Sequence, residues 1–425
     1  MVPSPMFIPV DLIGEIFSAL PVKSILRFKC VSKYCDNLVS DPNFVKFHIK
    51  RSPTLNPHFI LKTDHTIKIL CESPYGSDDE YDVDEGFIPY SLGSLIENPS
   101  FAVEVDPYYM VKNYEYRLIG SCNGLICFVG ENLTSEYYEF WLRLWNPATR
   151  TKSPKLGFSH LFHNRFGSVN DGYFKFNFGY DDSTGTYKAV ASRYNKRELR
   201  SNVRILSLGD DVWRDIGSFP VDPMYLNSAY QTSDVGVYFK STINWLAIQN
   251  HFWYDSNNIK DISVQQFVIV SLDLRTETYN QYLLPRDFDE VPPLAPIVSV
   301  LGDCLCFSYC YKETDFVIWK MKKFGVQDSW TQFLKISYYS LQIDYDYSDQ
   351  NLQYHFELVP LFLSKDGDTL VLKSSQEHQE ILYNWRNNRV VRTNITARKM
   401  ITDDRTIDFV SCSAIGYFES LLPVI

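Results

Sequence analysis

Histidines, cysteines and paired carboxylates are the residues here whose spacing could support catalysis or metal binding, and they lack the required patterns. The eight histidines, His48, His58, His65, His160, His163, His251, His355 and His378, are scattered through 425 residues. No HExxH, GxSxG or GxxxxGK[S/T] motif accompanies them. His160 and His163 would share a face on a helix, but they stand in a loop-like stretch without a cysteine partner and read as polar surface. The nine cysteines, Cys30, Cys35, Cys71, Cys122, Cys127, Cys304, Cys306, Cys310 and Cys412, are odd in number and form no CxxC pair. They read as reduced thiols, mostly buried, and not as a disulfide framework or a zinc site. Asp181 and Asp182 would point to opposite sides of an extended chain, a poor geometry for an acid and a base flanking a sugar. Asp78, Asp79, Glu80, Asp82, Asp84 and Glu85 lack the glycine and terminal glutamate of a calcium loop. Their mutual repulsion marks Ser73 to Gly86 as a solvated loop or linker. No catalytic, metal-binding or cofactor-binding residue is assigned.

Composition points to a protein partner. The formal charge of -10 repels phosphate, and basic residues form no run beyond Lys320 to Lys323, so nucleic acid is excluded as a partner. No apolar stretch approaches the ~20 residues that cross a bilayer, which excludes a membrane helix. Met1 to Ile8 lacks the basic segment and apolar core of a secretory signal, giving cytoplasm and/or nucleus as the expected location. In that setting the N-x-T matches at Asn132 and Asn394 carry little meaning.

Two regimes of hydrophobic spacing divide the chain. In the first 50 residues apolar side chains recur at three and four: Leu12, Ile16 and Leu20 on one track, Ile13 and Phe17 on the next. Asp11 is the expected cap of a first helix that Pro21 ends, and Pro21 in turn opens a second over Val22 to Phe28. Ser32 offers a cap for a third, and Asp41 followed by Pro42 opens a fourth through Phe44, Phe47 and Ile49. So small a bundle buries little apolar surface of its own, so part of its apolar face is expected to meet a partner.

The run Ile8-Pro9-x-Asp11-Leu12-x-x-Glu15-Ile16-Phe17-x-x-Leu20-Pro21-Val22-Lys23-Ser24-Ile25-Leu26-Arg27-Phe28-Lys29-Cys30-Val31-Ser32-Lys33, followed by Leu38-Val39-Ser40-Asp41-Pro42-x-Phe44, resembles the plant F-box motif. It departs from the motif at Ile8, where leucine is usual, and at Cys35, where tryptophan usually follows the Ser-Lys pair. The resemblance implies docking to the Skp-type adaptor of a cullin-based ubiquitin ligase and, through it, to cullin and RING subunits. It implies Pro9, Leu12, Ile16, Leu20, Pro21, Val22, Ile25, Leu26 and Val31 as the adaptor-contact set. Spacing alone does not separate these contacts from residues that hold the bundle core, a role open to Ile13, Ile16 and Leu26 in particular.

Past residue 115 the aromatics, 29 Tyr and 29 Phe in the whole chain, fall mostly in short alternating segments, which is strand chemistry. A loose repeat joins them. Gly120 to Phe128 leads to Leu142 to Arg150; Phe178 to Val190 leads to Val203 to Leu206 and Trp213; Gly236 to Ala247 leads to Ile269 to Leu274. Leu301 to Ser308 leads to Phe316 to Met321 and Trp330, and Leu363 to Leu372 leads to Ile381 to Trp385. Strand groups recurring at roughly 50 to 70 residues fit propeller blades with variable loops.

Ser121-Cys-Asn-Gly-Leu125, Leu144-Trp-Asn-Pro-Ala-Thr-Arg150, Phe178-Gly-Tyr-Asp181 and Ser271-Leu-Asp-Leu274 resemble the F-box-associated domain of plants, over roughly residues 90 to 400. This implies a kelch-like β-propeller that binds targets. The double-glycine signature of kelch repeats is absent, so blade number and closure stay open. Trp145, Trp213, Trp245, Trp319 and Trp330 read as packing between blades, and Asn146 and Asp181 as turn formers. Target contacts are expected from loops, with no residue assigned.

The expected protein is multidomain and mainly β: a small N-terminal all-α F-box helical bundle (3–50), a linker with the acidic loop and the start of the β domain (51–95), and a kelch-like β-propeller domain (96–420). Its expected function is that of a non-catalytic receptor subunit, bringing an unidentified target protein to a ubiquitin ligase. A carbohydrate-binding or hydrolytic propeller, and an F-box protein acting outside the ligase, are the competing readings.

Overall fold

The computed structural model describes residues 9–55, 57–68, 81–104, 110–111, 116–134, 137–162, 174–195, 200–224, 236–249, 262–343, 357–375, 377, 379–398 and 409–424. Prolines and short polar caps punctuate the N-terminal helices. Pro9 and Pro21 occupy N-cap positions with ψ of 140° and 147°, and helices α1 (Val10–Ser18) and α2 (Val22–Lys29) start directly after them. Asp11 therefore lies inside the first turn of α1 instead of capping it, because the fixed φ of Pro9 already sets the entry. The Ser32 hydroxyl accepts the Cys35 N–H at 3.1 Å and opens α3 (Lys33–Ser40). Asp41 Oδ1 accepts the N–H groups of Asn43 and Phe44 at 2.8 and 3.1 Å and opens α4 (Pro42–Leu55).

The remaining strands make a ring of six antiparallel sheets. Blade 1 runs Tyr116–Cys122, Leu125–Leu133 and Tyr137–Asn146, flanked by Thr151–Lys152 and Leu156–Phe162. Blade 2 runs Lys175–Asp181, Thr186–Asn195, Arg200–Ser207 and Trp213–Ser218. Blade 3 spans 222–283, blade 4 spans 297–337 and blade 5 spans 358–392. Blade 6 takes its innermost strand, Phe409–Phe418, from the far end of the chain and pairs it with Pro57–Lys68, then Tyr81–Ser91 and Met110–Val111. The innermost strands of successive blades adjoin all the way round, and that of blade 6 meets that of blade 1, so the propeller is closed.

The core is a ring of apolar layers between blades. Ile119, Phe140 and Leu144 of blade 1 meet Phe176, Phe178 and Ala189 of blade 2, and equivalent layers follow at every junction. Trp145, Trp245, Trp319 and Trp330 are buried in these layers and Trp213 packs against one, as expected from sequence. Helix α5 (Leu92–Glu97) buries Leu92 and Leu95 between blades 5 and 6. Beside it Ser100–Glu104 pairs in parallel with Asn394–Arg398, a second bond between early and late parts of the chain.

Within 51–95, expected to hold a linker with the acidic loop and the start of the β domain, Pro57–Lys68 and Tyr81–Ser91 are strands of blade 6. Tyr81 to Gly86, expected to be solvated loop, lies in a strand in which Asp82 stands opposite Ile67 and Asp84 opposite His65. Backbone pairing along the neighbouring strand outweighs the local charge repulsion that suggested a loop. Asp78, Asp79 and Glu80 lie outside the described residues.

Candidate functional site

The helical bundle closes on Phe17, Val22, Ile25, Val39, Phe44 and Val45. Val22 and Ile25 are 0% exposed, so these two members of the expected adaptor-contact set belong to the core and are closed to a partner. The amphipathic pattern of α2 turns them inward, because positions three apart share a face. Leu20 and Leu26 are half-buried against the same core, as is Ile13. Leu12, Ile16 and Val31 are 52%, 50% and 71% exposed, and Pro9 and Pro21 are exposed beside them in sequence. Leu12 and Ile16 sit one turn apart on α1. Phe28, 41% exposed, stacks on the buried Phe17 of α1 with ring centroids 5.0 Å apart, which ties the end of α2 to α1. Phe28 and the exposed Tyr34 were not in the expected set. Phe28 follows Ile25 by three residues, a spacing that reads as core until the helix ends.

The bundle stands on the propeller through the segment after the last strand. Leu421 is buried in the bundle core, and Leu422 packs against both that core and the layer between blades 1 and 2. Glu419 Oε2 accepts the Val22 N–H at 3.2 Å, placing a carboxylate at the positive end of α2. Asn146 has two tasks. Its Oδ1 accepts the N–H groups of Ala148 and Thr149 at 3.0 and 3.4 Å, the turn role expected of it. Its Nδ2 donates to the carbonyls of Ser420 and Leu422 at 3.0 and 2.8 Å, fixing the tail. Gly124 lies beneath: its φ is +81°, and a Cβ there would come within 2.4 Å of Ser420 Cβ.

Family models match both parts of the chain: an F-box domain over residues 7–47 and an F-box associated beta propeller domain over residues 95–409. The chain is a plant-type F-box protein with an F-box-associated propeller. An F-box/kelch-repeat protein of Arabidopsis thaliana is 28% identical over 345 residues, covering 78% of this chain and 80% of that protein. The F-box protein CPR1 of the same plant is 25% identical over 411 residues, covering 93% and 84%. F-box proteins are in general adaptor subunits and not enzymes. Solved structures that this F-box protein resembles include two at low scores. The Dos1 propeller is 9% identical with a TM-score of 0.35, covering 74% of this chain and 67% of that one. The Penicillium chrysogenum alpha-L-arabinanase complexed with arabinobiose is 11% identical at 0.35, covering 75% and 92%. Likeness at this level carries no argument for sugar chemistry.

The other chemistry-bearing residues of the F-box protein have structural partners. Asp181 is fully buried in a blade 2 turn, where its Oδ1 accepts the Ser183 N–H at 2.9 Å and its Oδ2 lies 3.1 Å from Lys188 Nζ. Burial would raise its pKa, but Ser183, Thr184 and Lys188 outweigh that and hold it well below the usual carboxylate range. Lys188 also meets Glu277 at 3.1 Å and donates to the Leu274 carbonyl at 2.5 Å, which ties blade 2 to blade 3. Asp182 is exposed. His160 lies in a strand, not a loop, with Nδ1 2.7 Å from Glu139 Oε1 and its ring stacked on Tyr137; His163 lies outside the described residues. Cys122, Cys127, Cys306 and Cys310 are buried, whereas Cys30 is exposed and Cys35 and Cys304 are half-buried. Burial pushes the thiols of Cys122 and Cys306 up to about 12, so neither is a nucleophile near neutrality.

Proposed function

We propose that this protein is the substrate receptor of a cullin-based ubiquitin ligase, acting in the cytoplasm and/or nucleus without catalytic chemistry of its own. Its F-box helices dock on a Skp-type adaptor, which connects it to cullin and RING subunits, and its propeller holds a target protein for ubiquitination and proteasomal degradation. The observation that carries this reading is the exposure of Leu12, Ile16, Phe28 and Val31 on a bundle whose own core is already complete. An apolar helical face left open on a fixed base is suited to a groove in a partner. Ubiquitin transfer then gains from proximity, since the receptor raises the local concentration of target beside the conjugating subunits.

Co-purification with a Skp-type adaptor tests the docking half. The wild-type chain is expected to retain the adaptor, and Leu12→Asp with Ile16→Asp to lose it while the propeller stays folded. Undiminished adaptor retention by the double variant would overturn the assignment of this face. Target stabilisation on proteasome inhibition, and the distribution of a fluorescent fusion between cytoplasm and nucleus, test the remainder.

A further inference from the structure

Two thiols and an amine share one face of blade 4. The strands Cys304–Tyr311 and Asp315–Met321 pair in antiparallel register, with Cys306 directly opposite Lys320. Cys304, two residues before Cys306, stands on the same face and diagonal to Lys320. That face turns toward blade 5, where Cys306 is buried in the apolar layer and Cys304 and Phe333 pack against it. Cys304 and Lys320 are both half-buried, which leaves them open to a small solute.

The Lys320 ammonium lies 3.6 Å from the centre of the Phe333 ring and has no hydrogen bond or ion pair among the described residues. Burial lowers its pKa, against smaller opposing effects from Cys306 and Cys304, so the neutral amine is more populated than on an exposed lysine. The influence of both thiols on this amine agrees with the strand register.

The two thiols are unequal. Burial pushes Cys306 up to about 12, and its Sγ donates to the Cys304 carbonyl at 3.5 Å. Cys306 is thus a held, protonated thiol, and Cys304 is the one open to an oxidant. Nor can the pair close a disulfide. Residues two apart on a strand stand about 6.5 Å apart, and a disulfide needs its Cβ atoms within about 3.5–4.5 Å. A cross-strand diagonal of about 7–8 Å, by contrast, is within the span of a long side chain such as lysine. The nucleophile placed to meet an oxidised Cys304 is therefore Lys320, not Cys306.

We propose that Cys304 and Lys320 form a peroxide-sensitive pair that closes into a reversible sulfur–nitrogen cross-link. The Cys304 sulfur attacks one oxygen of a hydroperoxide. The O–O bond breaks, the peroxide takes up two electrons and leaves as water or an alcohol with the thiol proton, and the sulfur becomes a sulfenic acid. The uncharged Lys320 nitrogen then attacks that sulfur. An S–N bond forms, the S–O bond breaks, and the hydroxyl leaves as water with a proton from the nitrogen, giving a sulfenamide. A small thiol that attacks the sulfur reverses the step by displacing the amine. The link joins two strands that are already paired, so the blade keeps its shape while Cys304 is withheld from irreversible oxidation. This chemistry is independent of adaptor docking and target capture.

The test exposes the full chain to hydrogen peroxide, digests it with trypsin and maps the products by mass spectrometry. Cleavage after Lys312 separates the Cys304 peptide from the Lys320 peptide, so the cross-link joins two otherwise separate peptides. The linked species is expected to weigh two hydrogen atoms less than the reduced peptides together and to be lost on treatment with dithiothreitol. Lys320→Arg, which keeps the charge without a nucleophilic amine, should abolish the link and leave Cys304 as a sulfenic acid trapped by dimedone or carried on to sulfinic acid. Cys304→Ser should abolish it as well, and Cys306→Ser should leave it in place. The proposal is overturned by Cys304 that stays reduced while the exposed Cys30 is oxidised, by a disulfide between Cys304 and Cys306, by oxidation of Cys304 without the link, or by a link that survives Lys320→Arg.

Discussion

Glu419 and Val22 are 397 residues apart in sequence, yet Glu419 Oε2 accepts the Val22 backbone N–H at 3.2 Å. The last segment of the chain thereby caps a helix in the first domain while Leu421 fills that domain's core. Removing Glu419 leaves an N–H at the start of α2 without its acceptor and takes a negative charge from the positive end of the helix.

Glu419→Ala is accordingly expected to destabilise the bundle by about 0.5–2 kcal/mol, the range for a lost helix cap. Hydrogen exchange is the measurement, with faster exchange in α1 and α2 and unchanged protection in blades 3 and 4. Asn146→Ala should produce the same pattern, since it releases the carbonyls of Ser420 and Leu422.

Docking and packing residues of the F-box should separate in a denaturation series. Ile25→Ala removes a fully buried side chain and should cost about 2–5 kcal/mol. Leu12→Ala changes an exposed position and should alter stability by less than about 0.5 kcal/mol while weakening adaptor binding. A stability loss for Leu12→Ala as large as that for Ile25→Ala would show that α1 is packed differently.

Stability should fall as pH drops through the range in which His48 titrates. Burial lowers the pKa of this side chain, against smaller opposing effects from the Leu20 carbonyl and the Glu419 carboxylate. Its ring meets the Leu20 carbonyl at 3.1 Å through Nε2, and Nδ1 is buried without a hydrogen-bond partner among the described residues. A folded-state pKa below the unfolded value of about 6.5 means that the unfolded chain binds the proton more readily. The contribution of His48 is thus fully present above about 6.5 and is lost as pH falls through the folded value. Urea midpoints between pH 7.5 and 5.5 should decline in the wild type and decline less in His48→Gln.

Lys188 should be the costliest charged residue of the propeller to remove. Its ammonium lies against Asp181, Glu277 and the Leu274 carbonyl with its side chain almost wholly buried. Lys188→Ala leaves Asp181 buried without its counter-charge, for an expected loss of about 3–5 kcal/mol. Lys188→Ala combined with Asp181→Asn should recover part of that loss in thermal unfolding, because the stranded charge is then gone.

What could be read from the sequence were the features that depend on neighbours within a few turns or strands. The helical spacing of Leu12, Ile16 and Leu20 and the Asp41-Pro42 cap are local signals, and both appear where expected. The glycine turn at Gly124 and the recurring tryptophans likewise identified blades, since each hairpin is contiguous. The separation of Ile25 from Leu12 needed the bundle itself, because both are apolar at helical spacing and only packing tells inward from outward. Blade 6 was illegible for a different reason: its innermost strand and its second strand are the two distant ends of the ring. Nothing near Tyr81 to Gly86 advertises the strand that it joins, and its acidic residues argue locally for the opposite. Asn146 could be read as a turn former, but its grip on Ser420 and Leu422 crosses 274 and 276 residues.

The pairing of Phe409–Phe418 with Pro57–Lys68 also imposes an order on synthesis. Helices α1 to α4 leave the ribosome first, but the leucine that completes their core and the carboxylate that caps α2 arrive some 370 residues later. A nascent chain interrupted anywhere before residue 409 therefore carries an unfinished helical bundle and an open ring. Completion of the bundle core is in this way deferred until Leu421 has been translated.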